Sequence, residues 1–430
     1  MTQFDINKYS DKYYRRHFVE YKQWENAIGE HIVKILSPGS ILDLGCGVGS
    51  YLEGSLKGGC KDILGVEISF DIAQLYFVDA IKPYIQKGDA TSDLKFDRTF
   101  DCVMSIEVAE HIEPDGTGNF INNLTKLSSK YIILAAAPPG QVGTGHINLR
   151  DKQFWIEQII SKGFMYRDDI IELCISAWKD MGAPWYILRN LMIFKKVCTK
   201  EVPTFLFTTF CSEIIQQDAY MLRHWKCDFF DYIIDIGANI GIFVNYAHAR
   251  HPNAKIFAYE PCKEAIANLI DNCGFIQKCI FEDKAMGDGS DMNFYGLQME
   301  ISYFVKPDEL ESPNNCAVNS ISLSNIFKQH NIPLDSNYFI KIDCEGGERF
   351  LLNDNDCIEI IKKSCGLSME IHFTPVGVKI REWDSVLRAW DVYNSWIYNN
   401  FHKTHRIIYY KSNKRRGNGI YILTRKDMVK

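Results

Sequence analysis

The apolar positions of this chain cluster into short continuous runs, and two of these runs lead into glycine-rich turns. The run Ile41–Leu44 carries Asp43 and precedes Gly-Cys-Gly-Val-Gly, while the run Ile233–Ile236 carries Asp235 and precedes Gly-Ala-Asn-Ile-Gly. A short apolar run bounded by turn residues is typical of a strand buried in a parallel sheet. Helix-compatible sequence follows both turns. The pattern therefore predicts a strand–turn–helix unit in each half of the chain.

Acidic residues recur in the same order in both halves. A second predicted strand ends at Glu67 in the first half and at Glu260 in the second, and a third acid follows at Asp89 and at Asp283. An acid at the end of the second strand of such a unit is placed to accept hydrogen bonds from ribose hydroxyls. The repeat of three acids and a turn indicates two nucleotide-binding α/β units in tandem.

The remaining apolar runs complete both halves. They predict strands at Asp101–Ile106, Tyr131–Ala136, Trp185–Lys196, Tyr338–Asp343 and Gly366–Ile371, and a terminal antiparallel hairpin formed by His405–Tyr410 and Gly419–Thr424. The predicted fold class is α/β, with two Rossmann-like domains, each a mostly parallel sheet with an antiparallel terminal hairpin. We place the domains at residues 1–198 and 230–430, with a helical connector at 199–229. An insertion, Asp288–Asn319, is rich in Ser, Asn, Asp and Gly and predicts loops or a lid.

Composition limits the classes of partner and the cellular compartments that we expect for this protein. Of the 430 residues, 46% are hydrophobic and 24% are charged, which excludes disorder or a coiled coil as the main state. The net charge of −6 provides no large cationic field, which argues against nucleic acid as a partner. The 14 cysteines form no C-x-x-C pair, and no apolar run suits a signal sequence or a transmembrane segment. We therefore expect a cytoplasmic protein with reduced thiols.

The position of the first acid distinguishes two classes of nucleotide ligand. Asp43 and Asp235 each lie two residues before the first glycine of their turn. A carboxylate there repels the pyrophosphate of a dinucleotide, but it suits the amino group and sulfonium of S-adenosylmethionine. We therefore favour S-adenosylmethionine over NAD, with one site in each half and the third acid near the adenine amino group. In the second turn Asn239 replaces a glycine, and asparagine tolerates the left-handed backbone needed there. The predicted cofactor-binding residues are Asp43, Gly45, Gly47, Gly49, Glu67, Asp89, Glu107, Asp235, Gly237, Asn239, Gly241, Glu260 and Asp283.

Both halves resemble known methyltransferase families. Residues 38–197 are similar to class I S-adenosylmethionine-dependent methyltransferases through ILDLGCGVG, LGVEIS, KGDA and SIEVAEHIEP. Within them, Ala135–Trp155 is similar to a branch often found among glycan biosynthesis enzymes. Residues 230–425 resemble the FkbM-type methyltransferases through DYIIDIGANIGIF, FAYEP, KAMGD, FIKIDCEGGERFLL and MEIHF. The resemblance implies O-methylation of sugars or of small hydroxylated metabolites.

Two histidines are the candidate catalytic residues of the first half. Methyl transfer from a sulfonium to a hydroxyl is an in-line displacement, which a general base assists by accepting the hydroxyl proton. His111 follows the fourth predicted strand, and His146 lies in a glycine-flanked loop after the fifth. Both belong to the edge of the sheet at which ligands bind. We expect His146 to be the base or a substrate contact, whereas His111 could equally order the Glu107–Glu110 loop.

In the second half the candidate catalytic residues follow the fourth and fifth predicted strands. They are Asp343, Glu345 and His372. We expect Lys341 to pair with a neighbouring carboxylate. Asp343 with Glu345 could hold Mg²⁺, as the resemblance to some sugar O-methyltransferases implies, but two carboxylates do not define a metal site. Glu348 and Arg349 are interpreted as a pair on one face of a helix.

The sequence supports one main hypothesis and three alternatives. We predict a bifunctional S-adenosylmethionine-dependent methyltransferase that O-methylates hydroxyls of a sugar or glycan acceptor. In the first alternative, one half is a degenerate scaffold that positions the substrate for the other. The second is a pair of NAD-binding modules, and the third is an RNA ribose methyltransferase, against which the acidic net charge argues.

Overall fold

A seven-stranded sheet forms the centre of each half of the chain in this computed structural model. The structure describes residues 10–197, 214–215, 218–290, 292–296, 302–305, 315–344, 346–372, 383–410 and 419–428. The chain divides into two units, residues 1–197 and 198–430. The helical connector predicted at 199–229 lies partly outside the described residues, and its described part contains a short 3₁₀ turn at Leu222–His224.

Within its described residues, 10–197, the first unit contains seven strands and eight α-helices. Its strands are β1 Ser40–Leu44, β2 Asp62–Glu67, β3 Ile85–Lys87, β4 Phe100–Ile106, β5 Ser128–Ala135, β6 Phe164–Tyr166 and β7 Leu191–Lys196. Its helices are α1 Asp11–Arg16, α2 Lys22–Leu36, α3 Ser50–Lys57, α4 Phe70–Ala73, α5 Thr117–Leu127, α6 Lys152–Ile160, α7 Asp168–Asp180 and α8 Trp185–Asn190. The strand order is 3-2-1-4-5-7-6, in which β1 to β5 are parallel and β7 is antiparallel to both neighbours. The order reverses between β1 and β4, so the ligand crevice of such a sheet opens at the carboxyl ends of these strands.

The second unit repeats this plan and adds a small second sheet. Its strands are β8 Tyr232–Ile236, β9 Lys255–Tyr259, β10 Cys279–Glu282, β11 Lys284–Met286, β12 Met292–Gly296, β13 Ser302–Val305, β14 Asn315–Ile321, β15 Tyr338–Ile342, β16 Gly366–Ile371, β17 His405–Tyr410 and β18 Gly419–Arg425. Its helices are α9 Ile242–Arg250, α10 Lys263–Cys273, α11 Leu323–His330, α12 Asn355–Lys363 and α13 Trp383–Phe401. The large sheet has the order 10-9-8-15-16-18-17, with β18 antiparallel to β16 and β17 and the other pairs parallel. The predicted fold class, two mostly parallel sheets with antiparallel terminal strands, is confirmed.

Two predicted segments differ from the structure. Trp185–Lys196 is not one strand, because α8 occupies Trp185–Asn190 before β7 begins. Pro184, with φ −61°, is already suited to a helix start, and an exposed Trp185 does not suit a buried strand. The insertion predicted as loops contains β12, β13 and β14, which form a four-stranded sheet with β11. Antiparallel strands do not need continuous apolar runs, so the polar composition hid them.

Close packing of two helices fixes the helix that follows the first glycine turn. A Cβ atom at Gly29 of α2 would lie 2.1 Å from the carbonyl oxygen of Tyr51 in α3. A Cβ atom at Gly54 of α3 would lie 2.0 Å from the carbonyl oxygen of Asn26 in α2. The two helices therefore touch backbone to backbone, which positions the N-terminus of α3 behind the turn. Among the helices that the structure describes, none combines the length and the apolar character needed to cross a membrane.

Candidate functional sites

The first glycine turn lies at the carboxyl end of β1 and has three left-handed glycines. The φ angle is +82° at Gly45, +55° at Gly47 and +78° at Gly49. A Cβ atom at Gly45 would lie 2.6 Å from Val108, and one at Gly49 would lie 2.5 Å from Ile81. At Gly47, by contrast, a Cβ atom would meet no other atom within 4 Å. The turn is thus packed on both sides and borders open space at Gly47, where a ligand can approach the backbone.

Glu67, at the end of β2, is held against that open part of the turn. Its carboxylate accepts hydrogen bonds from the backbone N–H groups of Gly47 at 2.8 Å and of Ser69 at 2.9 Å. The Tyr14 hydroxyl donates a third hydrogen bond at 3.0 Å. Burial raises the pKa of Glu67, whereas the three donors favour the ionised form. The carboxylate is therefore fixed beside the space in which we predict the ribose of the cofactor.

The second glycine turn packs against the strand that carries the predicted catalytic residues. The φ angle is +83° at Gly237 and +92° at Gly241. A Cβ atom at Gly237 would lie 1.7 Å from the carbonyl oxygen of Asp343, and one at Gly241 would lie 2.7 Å from the sulfur of Cys273. Only glycine fits at Gly237, because both the backbone angle and the neighbouring carbonyl exclude a side chain.

Glu260 repeats the arrangement of Glu67 in the second unit. It accepts hydrogen bonds from the backbone N–H groups of Asn239 at 2.8 Å and of Cys262 at 2.9 Å. Asn239 has a φ angle of +50°, close to the +55° of Gly47, so the asparagine adopts the left-handed backbone expected from the sequence. Burial raises the pKa of Glu260 to about 7. We call this arrangement, a buried carboxylate held by two backbone N–H groups beside a left-handed turn, the carboxylate clamp.

The first acids of the two turns differ in their partners. Asp43 is almost fully buried, and its Oδ2 atom has no hydrogen-bond partner among the described residues. Burial, and then the charge of Glu67, raises the pKa of Asp43 well above its usual range. Asp235 is fully buried too, but its Oδ1 atom lies 3.0 Å from Nζ of Lys341, which also donates to the Gly237 carbonyl at 2.6 Å. The predicted pairing of Lys341 with a carboxylate is confirmed, and it compensates the charge of Asp235.

The third acids do not occupy equivalent positions. Pairing of β2 with β3 places Asp89 two residues beyond the partner of Glu67, whereas pairing of β9 with β10 places Asp283 level with Glu260. Asp89 accepts hydrogen bonds from the backbone and the hydroxyl of Thr91 at 2.8 and 2.7 Å, and Asp283 is exposed. Relative to Glu67 and Glu260, the two acids therefore differ in position by two residues. The sequence did not predict this difference, because spacing along the chain does not determine how the strands pair.

The two candidate histidines of the first unit lie side by side, with ring centroids 5.0 Å apart. Nδ1 of His111 lies 3.1 Å from the Gly145 carbonyl oxygen, and Nδ1 of His146 lies 3.0 Å from the Gln141 carbonyl oxygen. Burial lowers the pKa of His111 to about 4. A Cβ atom at Gly143 would lie 2.1 Å from Nε2 of His146, so the loop needs glycine there to admit the ring. The sequence separated the roles of the two histidines, but the structure places them in one cluster.

Glu110, which was not among the predicted site residues, belongs to the same cluster. Its side chain is fully buried, and one carboxylate oxygen lies 4.0 Å from Nε2 of His146. Burial, and then the charge of Glu107, raises the pKa of Glu110 well above its usual range. Glu107 has a left-handed φ of +56° and accepts hydrogen bonds from Asn190 at 2.9 Å and Gln141 at 3.3 Å. The Glu-x-x-Glu-His spacing in SIEVAEHIEP was the available signal for this cluster.

A second cluster lies at the carboxyl ends of β15 and β16. Nε2 of His372 lies 3.8 Å from a carboxylate oxygen of Asp343 and 3.8 Å from one of Glu370. The Tyr220 hydroxyl, from the segment before β8, donates a hydrogen bond to Asp343 at 2.7 Å. Two of the predicted catalytic residues, Asp343 and His372, are thus brought together. Glu370 and Tyr220 were not predicted. Glu370 lies within the apolar run of β16, and Tyr220 comes from a segment distant in sequence.

Two other predictions concern this part of the second unit, one for Glu345 and one for Glu348, and the prediction for Glu348 is wrong. Glu345 lies outside the described residues, and with it the carboxylate pair considered for Mg²⁺. Glu348 is not a surface partner of Arg349, because it is fully buried and accepts hydrogen bonds from the backbone N–H groups of Gly346 at 2.9 Å and of His372 at 2.6 Å. The chain turns at Gly346, where φ is +101°, and this turn directs Glu348 inward.

Family comparisons match both units. Residues 15–132 match a family model described as a methyltransferase domain, and residues 235–392 match one described as a methyltransferase FkbM domain. The 31-O-demethyl-FK506 methyltransferase FkbM of Streptomyces tacrolimicus is 36% identical over 61 residues. That match covers 13% of this chain and 24% of the relative, so the chain spans about a quarter of that protein's length.

Solved structures of methyltransferases are also similar to parts of the chain. The O-methyltransferase of a trans-AT PKS multienzyme of Brevibacillus brevis, in complex with S-adenosyl-L-homocysteine, is 15% identical. The match covers 50% of this chain and 86% of that one, with a TM-score of 0.30. Magnesium protoporphyrin IX methyltransferase from Synechocystis PCC 6803, with bound S-adenosyl-L-homocysteine, is 19% identical, with coverage of 41% and 82% and a TM-score of 0.28.

Proposed function

We propose that this chain, which carries a class I methyltransferase domain followed by an FkbM methyltransferase domain, is a bifunctional enzyme that O-methylates sugar hydroxyls in glycan biosynthesis. The observation that carries the proposal is the carboxylate clamp, which occurs at Glu67 and again at Glu260. The choice of a sugar acceptor rests on the resemblance of Ala135–Trp155 to glycan biosynthesis enzymes. A cytoplasmic location belongs to the same proposal, and the free thiols of the described cysteines suit a reducing compartment.

The first turn fits S-adenosylmethionine on three structural grounds. Asp43 offers a buried carboxylate oxygen without a hydrogen-bond partner among the described residues, which suits the cationic amino group. Gly47 borders open space, and Glu67 presents a fixed carboxylate for the ribose hydroxyls. When bound, S-adenosylmethionine supplies an electrophilic methyl group on a sulfonium sulfur. The second turn offers the same clamp and a left-handed asparagine, so we propose a second cofactor site there.

The proposed reaction requires alignment and a proton acceptor. An O–CH₃ bond forms on the acceptor while the S–CH₃ bond breaks, and the hydroxyl proton passes to a base. In the first domain the candidate for that base is His146. A carbonyl oxygen only accepts hydrogen bonds, so Nδ1 of His146 donates to Gln141 and Nε2 carries the lone pair that takes the proton. In the second domain His372, with Asp343 at 3.8 Å, is the corresponding candidate.

One observation favours a second candidate function, in which the second domain is a scaffold without its own cofactor. Lys341 already compensates Asp235, so this carboxylate attracts the cationic end of a ligand less strongly than Asp43 does. The second domain would then bind only the acceptor and present it to the first.

Calorimetric titration of the full chain with S-adenosyl-L-homocysteine distinguishes these functions. We expect two molecules bound per chain, with Glu67→Gln weakening one site and Glu260→Gln the other. Asp335→Ala, at an exposed position outside both turns, is the control and should change neither. A stoichiometry of one that only Glu67→Gln affects would favour the scaffold alternative, and no binding at all would overturn the proposal.

The acceptor requires a separate experiment. The full chain is incubated with radiolabelled S-adenosylmethionine and either nucleotide-linked sugars, lipid-linked glycans or RNA. We expect label in a sugar fraction. Glu67→Gln should abolish the methylation carried out by the first domain, and Glu260→Gln the methylation carried out by the second. Label found in RNA alone would replace the sugar proposal by ribose methylation.

A further inference from the structure

The cluster of Glu110, His111 and His146 in the first domain contains more ligand groups than a single general base requires. One potential ligand atom from each of the three residues lies within 4.8 Å of the other two. We propose that these three side chains bind a divalent transition-metal ion.

The two imidazoles are held in the orientation and tautomer that a metal site needs. Nδ1 of His111 lies 3.1 Å from the Gly145 carbonyl oxygen, and Nδ1 of His146 lies 3.0 Å from the Gln141 carbonyl oxygen. Because a carbonyl can only accept, each Nδ1 carries the proton and each Nε2 carries the lone pair. A metal-binding histidine commonly donates its other ring N–H to a carbonyl or a carboxylate, which fixes the ring in this way.

Glu110 supplies the charge that such an ion would neutralise. Its side chain has no exposed surface, and neither carboxylate oxygen has a hydrogen-bond partner among the described residues. An ionised carboxylate buried without a partner is strongly unfavourable unless a cation compensates it. The neighbouring carboxylate of Glu107 increases the need for positive charge at this position.

The ligand types and the distances favour a transition metal over Mg²⁺ or Ca²⁺. Imidazole nitrogens suit Zn²⁺, Co²⁺, Fe²⁺ and Ni²⁺, whereas Mg²⁺ and Ca²⁺ prefer oxygen ligands. Nε2 of His146 already lies 4.0 Å from Oε1 of Glu110. In a tetrahedral site with metal–ligand distances of about 2.1 Å, two ligand atoms lie about 3.4 Å apart. Each side chain therefore needs to move by less than about 1 Å to bind the ion.

A role for this ion in the reaction rests on the function proposed above. Three protein ligands leave at least one coordination position open, as in catalytic rather than structural metal sites. A hydroxyl bound there would lose its proton more readily, because the ion stabilises the alkoxide. The ion would thus bind and activate the acceptor hydroxyl, whose proton passes to solvent water as the O–CH₃ bond forms and the S–CH₃ bond breaks, and His146 would act as a ligand rather than as the base.

Cobalt binding to the full chain tests the site without requiring activity. The chain is treated with a chelator, titrated with Co²⁺, and followed by visible absorption and by calorimetry. We expect one site that Glu110→Gln and His146→Gln each weaken at least tenfold. The control is His224→Gln, which removes an exposed histidine outside both clusters. Glu110→Gln preserves the side-chain shape, and His146 lies in a loop with 11% of its side chain exposed, so the second variant allows a decision if the first does not fold.

Two results would overturn the proposal. The first is cobalt binding that neither variant changes. The second is binding that persists in His146→Gln but disappears in His372→Asn, which would assign the ion to the cluster of the second domain. Titration with S-adenosyl-L-homocysteine in the absence of metal is measured separately, so a missing ion site is distinguishable from a missing cofactor site.

Discussion

Replacing the first acid of each turn by asparagine should change the stability of the two domains in opposite directions. Asp43→Asn removes a buried charge that has an unpartnered oxygen among the described residues, so we expect it to stabilise the first domain. Asp235→Asn removes the charge partner of a buried lysine, Lys341, so we expect it to destabilise the second. The substitution has the same shape and chemistry in both cases, and each variant is therefore the matched control of the other.

The magnitudes follow from the surroundings of each carboxylate. An unsatisfied buried polar group costs about 1–3 kcal/mol, and asparagine retains part of that cost, so Asp43→Asn should gain about 1 kcal/mol. Breaking a buried ion pair by removing one partner costs about 3–5 kcal/mol. Asp343 lies 3.9 Å from Nζ of Lys341 and compensates part of the loss, so we expect the lower end, about 3 kcal/mol. For domains of this size, 1 kcal/mol corresponds to about 2–4 °C in Tm.

The gain from Asp43→Asn should also depend on pH. The folded chain binds a proton at Asp43 more tightly than the unfolded chain does, because burial raises the pKa of this carboxyl. The wild-type domain therefore loses stability as pH rises from about 4 through that raised pKa. Asparagine does not titrate, so the advantage of the variant should grow over the same pH range.

Hydrogen exchange measured by mass spectrometry assigns each change to its domain. Peptides that cover β1 should become more protected in Asp43→Asn, and peptides that cover β8 should become less protected in Asp235→Asn, while calorimetry gives the overall Tm. Asp43→Asn should at the same time weaken S-adenosyl-L-homocysteine binding at the first site by about 10–100-fold, the worth of one charge-assisted hydrogen bond. Destabilisation of the first domain by Asp43→Asn would refute the reasoning, because it would reveal a favourable partner of this carboxylate.

Three further predictions concern single positions. Gly237→Ala should leave the second domain unfolded, because its Cβ atom would lie 1.7 Å from the Asp343 carbonyl oxygen. Gly47→Ala should reduce the free energy of unfolding of the first domain by only about 1–2 kcal/mol, the cost of the left-handed backbone. Similar thermal melts for the two variants would contradict this prediction. If His146 is the base, His146→Ala should lower kcat of the first domain by about 10²–10⁴-fold with little change in cofactor affinity, and a kcat near that of the wild type would exclude this role. Since the pKa of Glu260 is about 7, its ionisation should strengthen cofactor binding at the second site between pH 6 and 8, and in titration calorimetry this trend should be absent in Glu260→Gln.

The sheets were predictable from the sequence because their strands are local signals. Runs such as those of β1 and β8 are buried on both faces of a parallel sheet, so they appear as continuous apolar sequence. The order of the acids likewise predicted the positions of Glu67 and Glu260. The strands β12 and β13 were missed because an antiparallel sheet can form from polar sequence when its partners are available.

The clusters at the edges of the sheets were only partly predictable, because their members come from distant parts of the chain. His146 and His372 were identified from their place after a strand, since the ends of parallel strands meet at one edge. Glu110 and Glu370 were not, although Glu110 directly precedes His111 and Glu370 lies two residues before His372. Only the fold determines that Glu110 meets His146 at 4.0 Å and that Asp343 meets His372 at 3.8 Å.

The carboxylate clamps also determine which adenosine compounds the two domains can exclude. A carboxylate that two backbone N–H groups hold cannot rotate away from an approaching anion, and Glu67 is held further by Tyr14. A phosphate on a ribose hydroxyl would meet this fixed negative charge at close range, where repulsion between unit charges about 4 Å apart amounts to about 4 kcal/mol near a protein surface. Nucleotides phosphorylated on the ribose, such as NADP, would therefore compete poorly for the first domain, and for the second once Glu260 is ionised, however abundant they are in the cell.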